Sequence, residues 1–198
     1  YLDTGAMYRA LTWLVLESRI SVTDRCAIAE LANQCEIQLA ASVDAAQPVR
    51  VWINSREVTS VIRNLEVTAN VSAIAAIPEV RQVLVQQQQQ WGQKGGLVAE
   101  GRDIGTQVFP HAELKIFLTA SVQERAKRRQ QDFLAQGQPQ VSLEQLERDI
   151  AARDWQDSNR EVAPLQKAND AIEIITDGKT VTQVIAEIVL QYEQVLKR

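Results

Sequence analysis

Three stretches of the chain carry side chains suited to holding a phosphorylated ligand. The first is Glu100-Gly101-Arg102-Asp103-Ile104-Gly105-Thr106. Gly101 and Gly105 permit tight backbone and close ligand approach. Arg102 can grip a phosphate through two hydrogen bonds, and Asp103 can accept from an amino group. A loop with a surface ion pair fits the same residues equally well. The second stretch is Asp3-Thr4-Gly5-Ala6-Met7-Tyr8-Arg9. Here Arg9 could meet a phosphate, or Thr4 could be a simple helix N-cap and Arg9 a solvated helix residue. The third is Arg153, Asp157 and Arg160, spaced to share one helix face if the helix continues that far. Two guanidinium groups flanking a carboxylate could hold phosphate and ribose together, or could form a surface ladder of ion pairs. Arg125, Lys127, Arg128 and Arg129 form a further basic cluster, which is either a solvated face or a second polyanion contact.

These residues need elements to position them. Ala10, Leu11, Leu14 and Val15 predict a helix over 6–17, and Thr23 could cap another running to Asn33. Residues 36–40 alternate, Val49, Val51 and Ile53 repeat with period two, and Asn54-Ser55 looks like the turn of a hairpin. Helical pattern returns over 65–77. Pro78 breaks it, and another helix follows to about Trp91, stopped by Gly95-Gly96. The glutamine run 86–90 reads as a solvated helix face. Leu97-Val98-Ala99, 114–118 and 172–175 read as short buried strands. Ser121 and Glu124 form a capping box for a basic helix that Gly137 and Pro139 end. Ser142 and Gln145 form a weaker box. Val184, Ile185, Ile188, Val189 and Tyr192 make one stripe on a final helix. Short strands separated by helices imply an α/β protein with a parallel sheet, where ligands bind at the carboxyl ends of strands. Glu100 to Thr106 directly follow such a strand.

Composition narrows the chemistry. The 198 residues are 45% hydrophobic and 23% charged, with a net charge of −4. That acidic total speaks against general nucleic-acid affinity. Cys26 and Cys35 form no CxxC pair and read as free buried thiols of a reducing compartment. His111 is the single histidine, so a zinc site built by the protein is not expected. No apolar stretch reaches membrane-spanning length, and with no basic region and apolar run at the start no secretory leader is expected. A cytoplasmic protein is expected.

Taken together, YLDTGAMYRA, IAAIPEVR, EGRDIGTQVFP, LKIFLTAS and RDWQDSNREVAPL resemble the cytidylate kinase family, in that family's order and over nearly the whole chain. The resemblance implies a P-loop nucleoside monophosphate kinase-like fold: a parallel sheet flanked by helices with a small antiparallel β insertion. It implies one kinase-like domain over 1–198, with a monophosphate-binding insertion at 36–91 and a lid region at 125–160. It implies phosphoryl transfer from ATP, with Mg²⁺, to CMP or dCMP. By position, Thr4, Tyr8 and Arg9 would line the CMP site, with Arg9 on its phosphate. Ser72, Arg81 and Asp103 would read the cytosine edge. Arg102 and Arg160 would hold phosphate, so that Arg9, Arg102 and Arg160 carry the catalytic charge. Arg153 and Asp157 would hold the ribose. Arg125, Arg128 and Arg129 would sit at the base of a mobile lid over ATP, and Glu100 would stand near the magnesium.

No GxxxxGK[ST] loop occurs in these residues, although the family carries one on its first strand and helix, just upstream of LDTGAMYR. The expectation is a chain lacking that strand and its ATP cradle. It begins at Tyr1 rather than Met, as a fragment, a processed product or a piece of a longer protein would. QKGGLVAEGRDIGT and LTASVQERAKRRQQD are also similar to the kinase half of fusions behind a pantoate–β-alanine ligase domain, which implies a possible covalent fusion upstream. The alternatives to a CMP kinase are a non-catalytic CMP-binding fragment, a kinase for another monophosphate such as UMP, and a nucleic-acid-binding module. The acidic total and the lack of an aromatic-basic stripe stand against the last.

Overall fold

The computed structural model describes residues 1–42, 49–135, 137 and 141–197. The chain is an α/β protein that divides into two compact units. One holds residues 1–108 with 160–164, the other 109–159 with 165–198.

In the first unit, β1 (Leu2–Asp3) leads directly into α1 (Thr4–Glu17). The cap is Asp3, not Thr4: its carboxylate accepts from the Ala6 N–H at 2.9 Å. Thr4 is the first helical residue, and its hydroxyl donates to the Glu100 carbonyl at 2.7 Å. That bond ties the start of α1 to β5 (Ala99–Glu100), which pairs with β1 in parallel. α1 is buried almost all round: of the residues that predicted it, Ala10, Leu11 and Val15 are buried and Leu14 is half-buried. Burying a side chain such as Leu11 stabilises by about 1.5–3 kcal/mol. The expected run Leu97–Ala99 is only partly correct. The strand starts at Ala99, and Val98 is exposed.

α2 (Arg25–Gln34) is capped by Asp24, whose carboxylate accepts from Ala27 at 3.1 Å. Thr23 instead shares a hydrogen bond with Ser21. β2 (Ile37–Ala41), β3 (Val49–Ile53) and β4 (Arg56–Glu57) form the expected antiparallel insertion. Asn54 and Ser55 both sit at positive φ, 48° and 65°, which the tight β3–β4 turn requires. After a 3₁₀ turn at Val61–Arg63 come α3 (Leu65–Ala75), capped by Asn64, and α4 (Pro78–Gly92), with Pro78 in its first turn. α4 does not carry a wholly solvated glutamine face: Gln88 is only 1% exposed. A π-helical turn at Ile104–Val108 follows β5.

In the second unit, β6 (Ile116–Thr119) pairs in parallel with β7 (Ile172–Ile175). Both match expected strands in place but not in burial, since only Ile174 of β7 is buried. α5 (Val122–Ala135) and α6 (Leu143–Asn159) pack on a small core of Ala126, Leu146 and Ile150. Ser121 accepts from the Glu124 N–H at 3.2 Å, which is half of the expected capping box. The other half is replaced, because the Ser121 N–H donates to the Asp177 carboxylate and Glu124 pairs with Arg128. Ser142 accepts from Gln145 in the same way, while Gln145 turns its amide to Asp149. Pro139 lies outside the described residues. α7 (Val181–Leu196) carries the anticipated apolar stripe, but none of its residues is buried. Of the two thiols, Cys35 is buried and Cys26 is exposed.

Candidate active site

A buried polar cluster of the first unit forms around Asp103. Its carboxylate takes Arg81 on Oδ2 and stands 3.9 Å from Arg160 Nη2 on Oδ1. All three side chains are at least nine-tenths buried. Two guanidinium groups thus surround one carboxylate away from solvent, an arrangement that favours a further anion. The backbone fixes Asp103, because the N–H groups of Thr106, Gln107 and Val108 all point to its carbonyl. Arg81 is fixed from the other side. It donates to the Ala75 carbonyl at 3.2 Å, and its guanidinium lies 5.6 Å from the centre of the Tyr8 ring. Arg160 donates from Nε to the Ala163 carbonyl at 2.5 Å, and Ala163 holds a left-handed φ of 51° to present it.

Tyr8 completes this cluster from α1. Burial pushes its hydroxyl from the ordinary 10.0 up to about 12, Arg81 opposing and Asp103 adding. The Gln88 amide lies beside the phenol and opposes part of the shift as a donor, without the alignment of a full hydrogen bond. Folded Tyr8 keeps its proton to higher pH than unfolded Tyr8. The phenol's contribution to stability is therefore complete below pH 10 and is lost as pH rises to about 12. Chemical denaturation at about pH 9.5 and about pH 11.5 tests this. We expect a fall in stability larger by about 1–3 kcal/mol than in a Tyr8→Phe variant. The comparison is needed because burial also raises Cys35, from 9.0 to about 11.

Gly101 explains the close approach of this loop to α1. A Cβ there would overlap the Thr4 hydroxyl and come within 2.8 Å of Ile104 Cδ1. Gly101→Ala is expected to break the Thr4–Glu100 bond and cost about 1–3 kcal/mol. In a Thr4→Ala background the same change should cost clearly less, as urea denaturation of the four proteins would reveal.

The other anticipated residues are distributed as follows. Arg9 donates to Thr68 Oγ1 at 2.9 Å and to the Ile62 carbonyl at 3.2 Å, so α3 and the preceding turn hold it. Ser72 is half-buried on α3, one turn before Ala75. Arg102 is exposed beside Asp103. Glu100 ends β5, exposed, in register with Asp3 of β1. Among the described residues no group of three His, Cys, Asp or Glu side chains could hold a metal. A strand-end carboxylate suits Mg²⁺, which takes one or two carboxylates and otherwise phosphate and water.

In the second unit, Arg153 and Asp157 pair at 3.9 Å across one turn of α6, with Asp157 buried. The anticipated three-residue stripe stops there, because α6 ends at Asn159 and Arg160 lies beyond it. The three arginines of the basic cluster on α5 are engaged by protein, and Lys127 is exposed. Arg125 makes a bidentate pair with Asp154 at 2.9 and 2.6 Å. Arg128 donates to Glu124 and to Thr176, and Arg129 lies over the Phe133 ring.

A residue the sequence did not point to is Gln88. It stands seven positions after Arg81, two turns along the same face of α4, and that spacing was the available signal.

A family model described as cytidylate kinase matches residues 1–194. A bifunctional pantoate ligase/cytidylate kinase of Trichormus variabilis is 66% identical over 198 residues, covering 100% of this chain and 37% of that protein. Proteins of the same name from Acaryochloris marina and Synechocystis sp. are 57% and 56% identical over 194 residues. They cover 98% of this chain each, and 37% and 38% of those proteins. The chain therefore spans little more than a third of the length of these curated relatives.

Proposed function

The chain belongs to the cytidylate kinase family, and from that premise we propose that it transfers the γ-phosphoryl group of ATP to CMP or dCMP, giving CDP or dCDP and ADP. The observation that carries this reading is the buried Arg81–Asp103–Arg160 cluster beneath Tyr8. It offers a carboxylate that can accept from an exocyclic amino group, guanidinium donors for a ring carbonyl, and surplus positive charge for a phosphate.

In this reading Arg81, Asp103 and Ser72 read the base, with Thr4 and Tyr8 lining the site. Arg9, Arg102 and Arg160 hold phosphate, and Arg153 with Asp157 holds the ribose. The attacking oxygen belongs to a phosphate that is anionic near neutral pH, so no general base is required. The obstacle is the repulsion of two polyanions brought into line, which fixed guanidinium groups reduce. Arg125, Arg128 and Arg129 are assigned to ATP, which would exchange some of their present ion pairs for phosphate. Mg²⁺, when bound, supplies charge neutralisation between the phosphates, and Glu100 would hold it.

The relatives' name joins two activities, and we read this chain as the kinase part of a protein that also carries a pantoate ligase part. A cytoplasmic location belongs to the same proposal. Among the described residues no helix is long and apolar enough to cross a membrane.

A coupled ADP-release assay on the intact protein tests the assignment with CMP, dCMP, UMP and AMP as acceptors. We expect kcat/KM for CMP to exceed that for UMP by at least about tenfold, because the wrong exocyclic group leaves Asp103 or Arg81 unpaired. Equal use of CMP and UMP would remove the base-reading role of Asp103. In the same assay, Asp157→Ala should raise KM about 5–10-fold and leave kcat within about twofold, since a ribose bond is made in ground and transition states alike. An unchanged KM would return Asp157 to a purely structural role.

A further inference from the structure

Tyr8 Oη and both polar atoms of the Gln88 amide are sealed from solvent without a well-formed hydrogen bond. Gln88 is 1% exposed and Tyr8 7%. Orphaned buried polar groups are costly, and an amide in such a place needs a reason. A leucine or methionine would fill the position on α4 at no desolvation cost. The neighbours show what the amide faces. Its helix also carries Arg81, whose guanidinium lies over the Tyr8 ring, and Arg81 pairs with Asp103.

We propose that Gln88 is a positioning residue for the nucleotide site: its amide donates to Tyr8 Oη, so that the phenolic O–H is aimed at the bound monophosphate. This rests on the CMP-kinase reading. The chemistry is directional. A phenol has one proton and two lone pairs, and a donor on the oxygen leaves that proton for a second partner. Tyr8 is held protonated by burial, with its hydroxyl pushed up to about 12, so its proton is present throughout the physiological range. Without the amide, the phenol can rotate and spend its proton elsewhere. The loose alignment of the pair matches a contact that tightens when a third partner arrives.

The experiment compares Gln88→Met, Tyr8→Phe and the double variant with the unaltered intact protein. CMP affinity is measured by calorimetry and stability by denaturation. Methionine matches the shape and removes the orphaned atoms. Stability should therefore stay level or rise while CMP binds about 5–20-fold more weakly. In the Tyr8→Phe background Gln88→Met should have no further effect on CMP binding. Two outcomes overturn the inference while leaving the kinase reading intact: unchanged CMP affinity in Gln88→Met, or an equal loss with and without the Tyr8 hydroxyl. A drop in stability with unaltered affinity would show the amide to be structural. If the unaltered protein binds no CMP, both readings fall. A nucleotide-free measurement separates the contact from the ligand. The Gln88 side-chain amide resonances should shift in Tyr8→Phe, and unmoved resonances would overturn the contact itself.

Discussion

Asp103→Ala is expected to lower the unfolding free energy by about 3–5 kcal/mol, among the largest single effects available in this chain. The reason is what remains behind. Arg81 and Arg160 are both at least nine-tenths buried against Asp103. Removing the carboxylate leaves two guanidinium groups in low dielectric with a buried counter-charge gone, and a guanidinium cannot neutralise itself by losing a proton. The Ala75 and Ala163 carbonyls still accept from them, but carry only partial charge. Urea denaturation checks the size of the effect. An Asp103→Leu, Arg81→Met pair should recover much of the loss, because it removes charge and counter-charge together. The same alanine variant should weaken CMP far more than ATP. A loss under about 1 kcal/mol would mean that water reaches the cluster freely and that the pair behaves as a surface bridge.

Arg160→Ala is expected to lower kcat by about 100-fold or more, with a smaller rise in KM for CMP. In the proposed reaction, negative charge shifts between the two nucleotides as the phosphoryl group passes, so a guanidinium fixed at that point helps the transition state more than the ground state. The fixing is visible. Nε is held by the Ala163 carbonyl, and the left-handed backbone of Ala163 sets the direction of that carbonyl. Arg160→Lys keeps the charge but loses the planar fork and the Nε contact. It should recover only part of the rate. Steady-state kinetics with CMP and dCMP supply the measurement. A kcat within about threefold of the unaltered protein would leave Arg160 as a structural partner of Asp103 alone.

Much of this was legible in the residues. The helices declared themselves through 3.6-residue spacing and the hairpin through alternation and Asn54-Ser55, because those signals are local. Of the strands in the parallel pairs, β6 and β7 were legible as apolar runs and β5 only at its first residue, while β1, two residues long, gave no such signal. The burial of these strands was not legible, since exposure depends on which face is covered. Local competition moved the caps by one position. Asp3 outbids Thr4 because the Thr4 hydroxyl is drawn to Glu100, a partner 96 residues away. Ser121 and Glu124 were read as a closed box, but Asp177 and Arg128 took two of the partners. The candidate site followed the same division. Arg81, Asp103 and Arg160 were named from motifs, and they meet. That Arg160 leaves the α6 stripe depends on where the helix stops. Gln88 was masked by a run of identical residues, in which only its spacing from Arg81 marks the member that turns inward.

The insertion also bears on how the protein can be watched. Arg56, at the start of β4, places its guanidinium 4.7 Å from the centre of the Trp13 ring and pairs with Glu17 at 3.0 Å. Trp13 is 8% exposed and lies on α1, the helix that carries Tyr8 and Arg9. An indole with a cation over one face emits differently from the same indole without it. Trp13 is thus a built-in optical gauge of whether the hairpin stays seated on that helix. With Trp52, Trp91 and Trp155 replaced by phenylalanine, its emission would follow the hairpin alone, and Arg56→Gln would give the signal of the unseated state without disturbing any residue assigned to the nucleotides.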